Sequence, residues 1–155
     1  MKLCDINPFL RYAELQPSVL SCPPLSCSYD YRIFYILEGE ADLVFADRTV
    51  PVKDGMLIYF RPETPYYFDG NVKVIVLNFD MTRLQSNKKT PLSPSKTVFD
   101  FDRSMVFEND PPEELSGVII IEKAFDIEEK LKNCLLQYNY PSAFSDGFTS
   151  AILKD

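Results

Sequence analysis

The chain has 155 residues and 46% hydrophobic content, which is the size of one domain and enough to bury most of its apolar surface without disulfide or metal staples. Its formal net charge of −7 and pI near 4.6 exclude a nucleic-acid surface on this chain, because phosphate binding needs clustered Lys and Arg. Lys88, Lys89 and Lys96 fall in one polar stretch and read as a solvated loop.

Histidine is absent, and Cys4, Cys22, Cys27 and Cys134 form no Cys-x-x-Cys pair. A zinc site would need all four thiolates or carboxylate help, so no metal is expected. Met1–Leu10 lacks the apolar core of a signal peptide, and no run approaches the length of a membrane span. The expectation is a cytoplasmic protein with reduced thiols and no membrane contact.

In chain order, Pro8–Tyr12 precedes a loop with Pro17, Pro23 and Pro24, and reads as a strand, as a lid over whatever follows, or as apolar side chains packed on an outer sheet. Tyr31–Glu38 is rich in aromatic and β-branched residues and predicts a strand, with Gly39 as a bend. Ala41–Phe45, Thr49–Val52 and Met56–Phe60 follow as further strands, joined by Asp47–Arg48 and Lys53–Gly55. Asp69–Asn71 predicts a hairpin into Val72–Phe79. Runs apolar on both faces belong to a closed or two-layered sheet, so the fold class is mainly β, a small antiparallel barrel or sandwich followed by helices.

Thr82–Ser95 reads as an exposed connection, while Val98–Val106 and Gly117–Glu122 read as extended pieces. The period then becomes helical. Asp126 is a candidate N-cap for a helix over Ile127–Tyr138, with Glu129 completing a capping box and Ile127, Leu131, Leu135 and Tyr138 on one face. A second helix, Ser142–Asp155, carries Phe144, Phe148 and Ile152 at four-residue spacing, and its stripe runs to the last residue without a C-cap, as in a piece of a longer protein.

The run "YRIFYILEGEADLVFADRTVPVKDGMLIYFRPETPYYFDGNVKVIVLNF" resembles the cupin barrel in the N-terminal sensor domain of AraC-type transcriptional regulators. "NPFLRYAE" is similar to the segment that opens such domains, and "LLQYN" and "TSAILKD" to the helices that follow the barrel. The resemblance implies a cupin-like double-stranded β-helix with its arm over residues 1–125, and a helical dimerisation or linker segment over 126–155. It also implies a DNA-binding helix-turn-helix domain outside this chain. Metal cupins place two histidines and a glutamate around the first strand and a histidine after the Pro-Gly turn. Here the glutamate position matches Arg32, the late histidine matches Tyr66, and the early pair falls within Leu25–Ser28. A guanidinium repels cations, so a metal-free pocket is implied.

If the matching positions face inward as in that family, alternation places Arg32, Phe34, Ile36 and Glu38 inside, with Tyr66, Phe68, Val74, Val76 and Asn78 opposite or beside them. The resemblance also implies an arm that folds over the effector with Arg11 and Tyr12, the alternative being Phe9 and Tyr12 packed on the outer sheet. Aromatic walls with a few fixed polar groups suit a small-molecule effector such as a sugar. The structural alternatives are a rim ion pair between Arg32 and Glu38, ordinary wall tyrosines, and Asn78 as a strand-end cap. No base is available for a nucleophile, and no phosphate-cradling loop occurs, so neither catalysis nor a cofactor is expected. The resulting expectation is an effector-sensing domain that forms a homodimer through Leu131, Leu135, Phe144, Phe148 and Ile152. A stand-alone cupin isomerase and a carbohydrate-binding cupin are the competing readings.

Overall fold

The computed structural model describes residues 1–19, 24–83, 90–106 and 110–155. Cys22, Pro23, Lys88 and Lys89, all named above, lie outside the described residues. Seven strands form one folded-over antiparallel sheet: β1 Phe9–Gln16, β2 Ser26–Cys27, β3 Tyr31–Phe45, β4 Thr49–Lys53, β5 Leu57–Phe60, β6 Pro65–Asp80 and β7 Ile119–Ile121. Two helices follow, α1 Glu128–Asn139 and α2 Ser145–Lys154.

The frame is the long pairing of β3 with β6, which runs from Tyr31 opposite Phe79 to Phe45 opposite Tyr66. The predicted hairpin at Asp69–Asn71 is therefore a bend inside one strand. Gly39 and Gly70 make that bend possible, with φ of +100° and +130°. A Cβ on Gly39 would stand 2.6 Å from the Asn71 carbonyl oxygen, and one on Gly70 would stand 2.8 Å from the Ala41 Cα. Only glycine fits where two backbones approach this closely at positive φ.

The bend turns the sheet back on itself, and the flanking strands pair with different halves of the frame. β1 and β5 join its Tyr31 end, while β2 and β4 join its Phe45 end. Between the two layers lies an apolar core that includes Phe34, Ile36, Leu43, Phe45, Ile58, Phe60, Phe68, Val74 and Val76. Two register shifts decide which side chains enter it. Between Ile36 and Glu38, β3 carries one residue more than β6, so even-numbered positions face the core up to Ile36 and odd-numbered ones from Leu43 onward. Glu38, expected inside by simple alternation, is exposed for this reason.

The second shift lies in β1, between Leu10 and Tyr12. β1 is a paired strand of the barrel and is no lid, because its backbone bonds to β6 along its length. Ala13 and Leu10 face outward, with Tyr35, Ile75 and Leu77, onto the helices.

α1 covers that outer face with Leu131 and Cys134, joined at its edges by Ile127 and Leu135. Burial pushes the Cys134 thiol up to about 12, so this cysteine behaves as an inert core residue. Asp126 does not cap α1. The chain enters the helix through a 3-10 turn at Phe125–Ile127, and the first turn is held instead by Glu128, which accepts a 2.7 Å hydrogen bond from the Tyr35 hydroxyl. α2 packs on α1 and β1 through Ser145, Thr149 and Ser150, with Ile152 and Leu153 toward the sheet. The Ser145 hydroxyl donates to Gln137, and that of Ser150 donates to Asn7. Leu131, Leu135 and Ile152 thus cover the barrel, and of the five residues expected at a dimer seam only Phe144 and Phe148 remain exposed, at 83% and 47%.

Val98–Val106 is not extended. Thr97 accepts from the backbone N–H groups of Phe99 and Asp100, and Asp102 from that of Ser104, so each starts a short 3-10 turn that competes with strand pairing. Gly117–Glu122 does contain a strand, since β7 pairs with β5. No helix among the described residues is long and apolar enough to cross a membrane.

Gly39→Ala is expected to destabilise the fold by about 2 kcal/mol or more, since positive-φ strain adds to a backbone clash that no side chain can relieve. Urea unfolding read by far-UV circular dichroism measures this, and a loss below about 0.5 kcal/mol would show that the bend does not depend on glycine.

Candidate functional site

At one mouth of the barrel, β1, β3 and the two halves of β6 converge on a cavity of about 460 Å3. Six of the eight ligand residues expected from sequence line it: Tyr12, Arg32, Phe34, Tyr66, Phe68 and Asn78. The other two do not. Glu38 is turned out by the β3 bulge, and Arg11 occupies the β1 irregularity and points toward the end of the barrel.

Sequence reasoning missed Glu14, Gln16, Tyr67, Ser26 and the segment Leu92–Pro94, all of which line the cavity. Glu14 and Gln16 follow Tyr12 at the two-residue period of β1, so reading "PFLRYAELQ" as one strand would have found them. Nothing local marks Leu92–Pro94. It belongs to the stretch expected as an exposed connection, of which residues 90–95 are drawn over the cavity by tertiary hydrogen bonds.

Those bonds radiate from Arg32, which is only 5% exposed. Its Nε donates to Asp30 at 3.2 Å, its Nη1 to the Tyr66 hydroxyl at 3.0 Å, and its Nη2 to the Leu92 carbonyl at 2.6 Å. The Asn78 amide nitrogen donates to the same carbonyl at 3.1 Å. Arg11 adds a 2.7 Å hydrogen bond to the Thr90 carbonyl and ion pairs to Asp30 and Asp80 at 3.8 and 3.7 Å. The Ser95 backbone N–H donates to the Cys27 carbonyl, fixing the far end of the segment.

The two positions that match metal ligands in metal cupins are thus bonded to each other, with a guanidinium between Asp30 and Tyr66. A metal ion placed between Asp30 and Tyr66 would meet the Arg32 guanidinium that already bonds to both, and a guanidinium cannot ligate it; no cluster of three ligating side chains occurs among the described residues. Burial pushes the Asp30 carboxyl above its ordinary range, against the pull of Arg32 and Arg11. Burial also opposes the Arg32 charge, but Tyr66 and Asp30 more than offset it and hold its pKa above the usual value. The enclosed Tyr66 phenol is raised by burial despite Arg32, so it is a neutral donor. Tyr12 is pushed up to about 12 by burial and its hydrogen bond to Glu14, whose own carboxyl is lowered by Tyr12 and Gln16. The site therefore offers one ionised carboxylate, fixed hydroxyl and amide groups, and aromatic walls.

A larger trough of about 780 Å3 lies at Glu40–Asp42, Pro51–Met56 and Glu122–Phe125. Its seven ionisable side chains are all exposed, so nothing buried and polar is aimed into it. The smaller cavity is the candidate site because its polar groups are held in place and desolvated.

Removing Arg32 alone leaves Asp30 buried with only the longer Arg11 contact, so Arg32→Ala is expected to cost about 3–5 kcal/mol. Replacing the pair together, as Asp30→Leu with Arg32→Met, is expected to recover at least half of that loss in urea unfolding. Equal losses in the single and double variants would overturn this account of the pair.

Residues 11–79 match the family described as "Cupin domain". No curated protein sequence is significantly similar to the chain. Among solved structures, ToxT from Vibrio cholerae bound to (E)-4-(8-methylnaphthalen-1-yl)but-3-enoic acid superposes with a TM-score of 0.51 at 14% identity, over 93% of this chain and 54% of that one. Apo ToxT from the same organism gives a TM-score of 0.49 at 13% identity, over 96% and 52%. The chain spans about half the length of the solved structures it matches. At these identities the likeness is one of fold, and it agrees with the folded-over sheet and the two helices behind it. The match covers residues 11–79, and the chain as a whole has a cupin-like antiparallel β fold followed by C-terminal α-helices.

Proposed function

We propose that this chain is the effector-sensing part of an AraC-type transcriptional regulator, and that its effector is a small organic molecule bound in the cavity lined by Tyr12, Arg32, Phe34, Tyr66, Phe68 and Asn78. The observation that carries this reading is that cavity. Its volume is within the range of small-molecule sites, it is walled by aromatic rings, and its buried polar groups are fixed by neighbours. The AraC-type resemblance of the sequence supports the same reading. So does ToxT, an AraC-family regulator with a cupin-like N-terminal domain that takes an aromatic small molecule.

A sugar is the finer form of this expectation, with Tyr66, Gln16 and Asn78 as partners for hydroxyl groups. The role is one of binding: Asp30 is held by two arginines, and the Glu14 carboxylate, which lines the cavity, is held by Tyr12 and Gln16. Residues 1–125 would hold the ligand, and 126–155 would pass the signal on. Contact between the two exists in the Tyr12 ring, which lines the cavity and meets Tyr138 of α1 edge-on at 5.7 Å. A ligand that moves Tyr12 would bias α1, by as much as its affinity differs between the two arrangements. DNA would be reached only through a helix-turn-helix domain outside this chain.

The reading includes a homodimer. Phe148 on α2 and Phe144 just before it, with Leu136 on α1 and Tyr140 just after it, are exposed apolar side chains. Such residues suit an interface between copies.

Two experiments test the proposal. A metabolite panel screened by thermal shift is expected to give at least one compound that raises Tm by several degrees, with the effect lost in Phe68→Ala; catalytic turnover of any panel member would refute the binding role. Light scattering is expected to show a dimer that Phe144→Asp with Phe148→Asp converts to monomer, and a dimer unaffected by that pair would remove α2 from the interface.

A further inference from the structure

The charged and amide groups around the cavity divide into those already engaged and those still able to take a partner. The guanidinium in the lining is engaged: Arg32 uses Nε, Nη1 and Nη2 on Asp30, Tyr66 and Leu92, and Asn78 turns its amide nitrogen to the same Leu92 carbonyl. Tyr12 and Gln16 both donate to Glu14. Two acceptors keep the capacity for a further partner. The Asn78 carbonyl oxygen is buried without a hydrogen-bond partner, in a residue only 1% exposed. Glu14 presents its carboxylate to the same cavity.

Charge points the same way. The buried ionic group at the end of the barrel, Arg11, Arg32, Asp30 and Asp80, is neutral as a set. Glu14 stands apart from it, and among the described residues no Lys or Arg lies within ion-pair distance of its carboxylate. Around these acceptors stand the rings of Tyr12, Phe34, Tyr66, Tyr67 and Phe68. Aromatic faces beside a carboxylate in a partly desolvated cavity favour a cation and disfavour an anion.

We propose that the ligand of this cavity is an organic ammonium whose N–H groups reach Glu14 and Asn78 and whose apolar part lies against the aromatic walls. This rests on the reading of the cavity as a small-molecule site, and it narrows that reading to one chemical class. A carboxylate ligand would meet the Glu14 charge with the Arg32 guanidinium already engaged. A neutral polyol would satisfy Asn78 but would leave the Glu14 charge without a counter-charge.

Three probes that share one ring and one chain length separate the outcomes: 2-phenylethylammonium, 2-phenylethanol and phenylacetate. Calorimetry or NMR titration of the whole chain is expected to show the ammonium bound at least tenfold more tightly than either of the others. Glu14→Gln keeps the shape and the contacts with Tyr12 and Gln16, and is expected to lower ammonium affinity about tenfold while leaving 2-phenylethanol unchanged. Asn78→Leu is expected to weaken the ammonium as well. If 2-phenylethanol or phenylacetate binds as well as the ammonium, or if Glu14→Gln has no effect, the cationic assignment is overturned while the small-molecule reading stands. If none of the three binds at millimolar concentration, both fail.

Discussion

A guanidinium taken out of water has to be surrounded by acceptors, and that requirement at Arg32 organises one whole end of this molecule. Asp30 supplies the opposing charge from two residues earlier on the chain. Tyr66 arrives from the other layer of the sheet, and the Leu92 carbonyl is brought from a segment with no secondary structure of its own. Satisfying one side chain thus joins both layers and pulls residues 90–95 across the cavity mouth. The same guanidinium stands at a position that matches a metal ligand in the metal cupins, and a guanidinium cannot ligate a metal ion.

The cavity and the helices are connected through β1. This strand is an edge of the sheet, with Tyr12 toward the cavity and Ala13 toward α1. Because adjacent residues of a strand face opposite ways, any displacement of β1 at the cavity would also move residues that face the helices. Tyr12 makes that connection direct by meeting Tyr138 around the strand edge. The hydroxyl-bearing residues of α2 fit the same arrangement, since Ser145 and Ser150 hold the helix by hydrogen bonds to Gln137 and Asn7, while Thr149 turns its hydroxyl back to the Ser145 carbonyl of its own helix.

Much of this was legible in the sequence, and the failures have specific causes. Strand identity followed from β-branched and aromatic runs, and the inward set Arg32, Phe34, Tyr66, Phe68 and Asn78 followed from alternation within strands whose register is regular. Glu38 failed because one extra residue in β3 inverts the alternation beyond Ile36, and no local feature of "YILEGE" announces a bulge. Asp126 failed as a cap because the chain enters α1 through a 3-10 turn, and Val98–Val106 failed because Thr97 and Asp102 bond to their own backbone. On α2 the apolar stripe was read correctly as a stripe, but its helix packs on the sheet through hydroxyl residues and turns two of those aromatic side chains outward.

The sequence by itself determined the composition of the core, the order of the strands, the glycines on which the frame bends and the exclusion of histidine-based metal chemistry. Each of these depends on residue type and nearest-neighbour pattern alone. Only the tertiary structure decided that Arg32 pairs with Asp30 and not with Glu38, that Leu92–Pro94 closes the cavity, and that Glu14 and an unpartnered Asn78 oxygen face into it. Those outcomes follow from which buried polar groups come within hydrogen-bond reach once the sheet has folded over, a matter of long-range register that no short stretch of sequence contains.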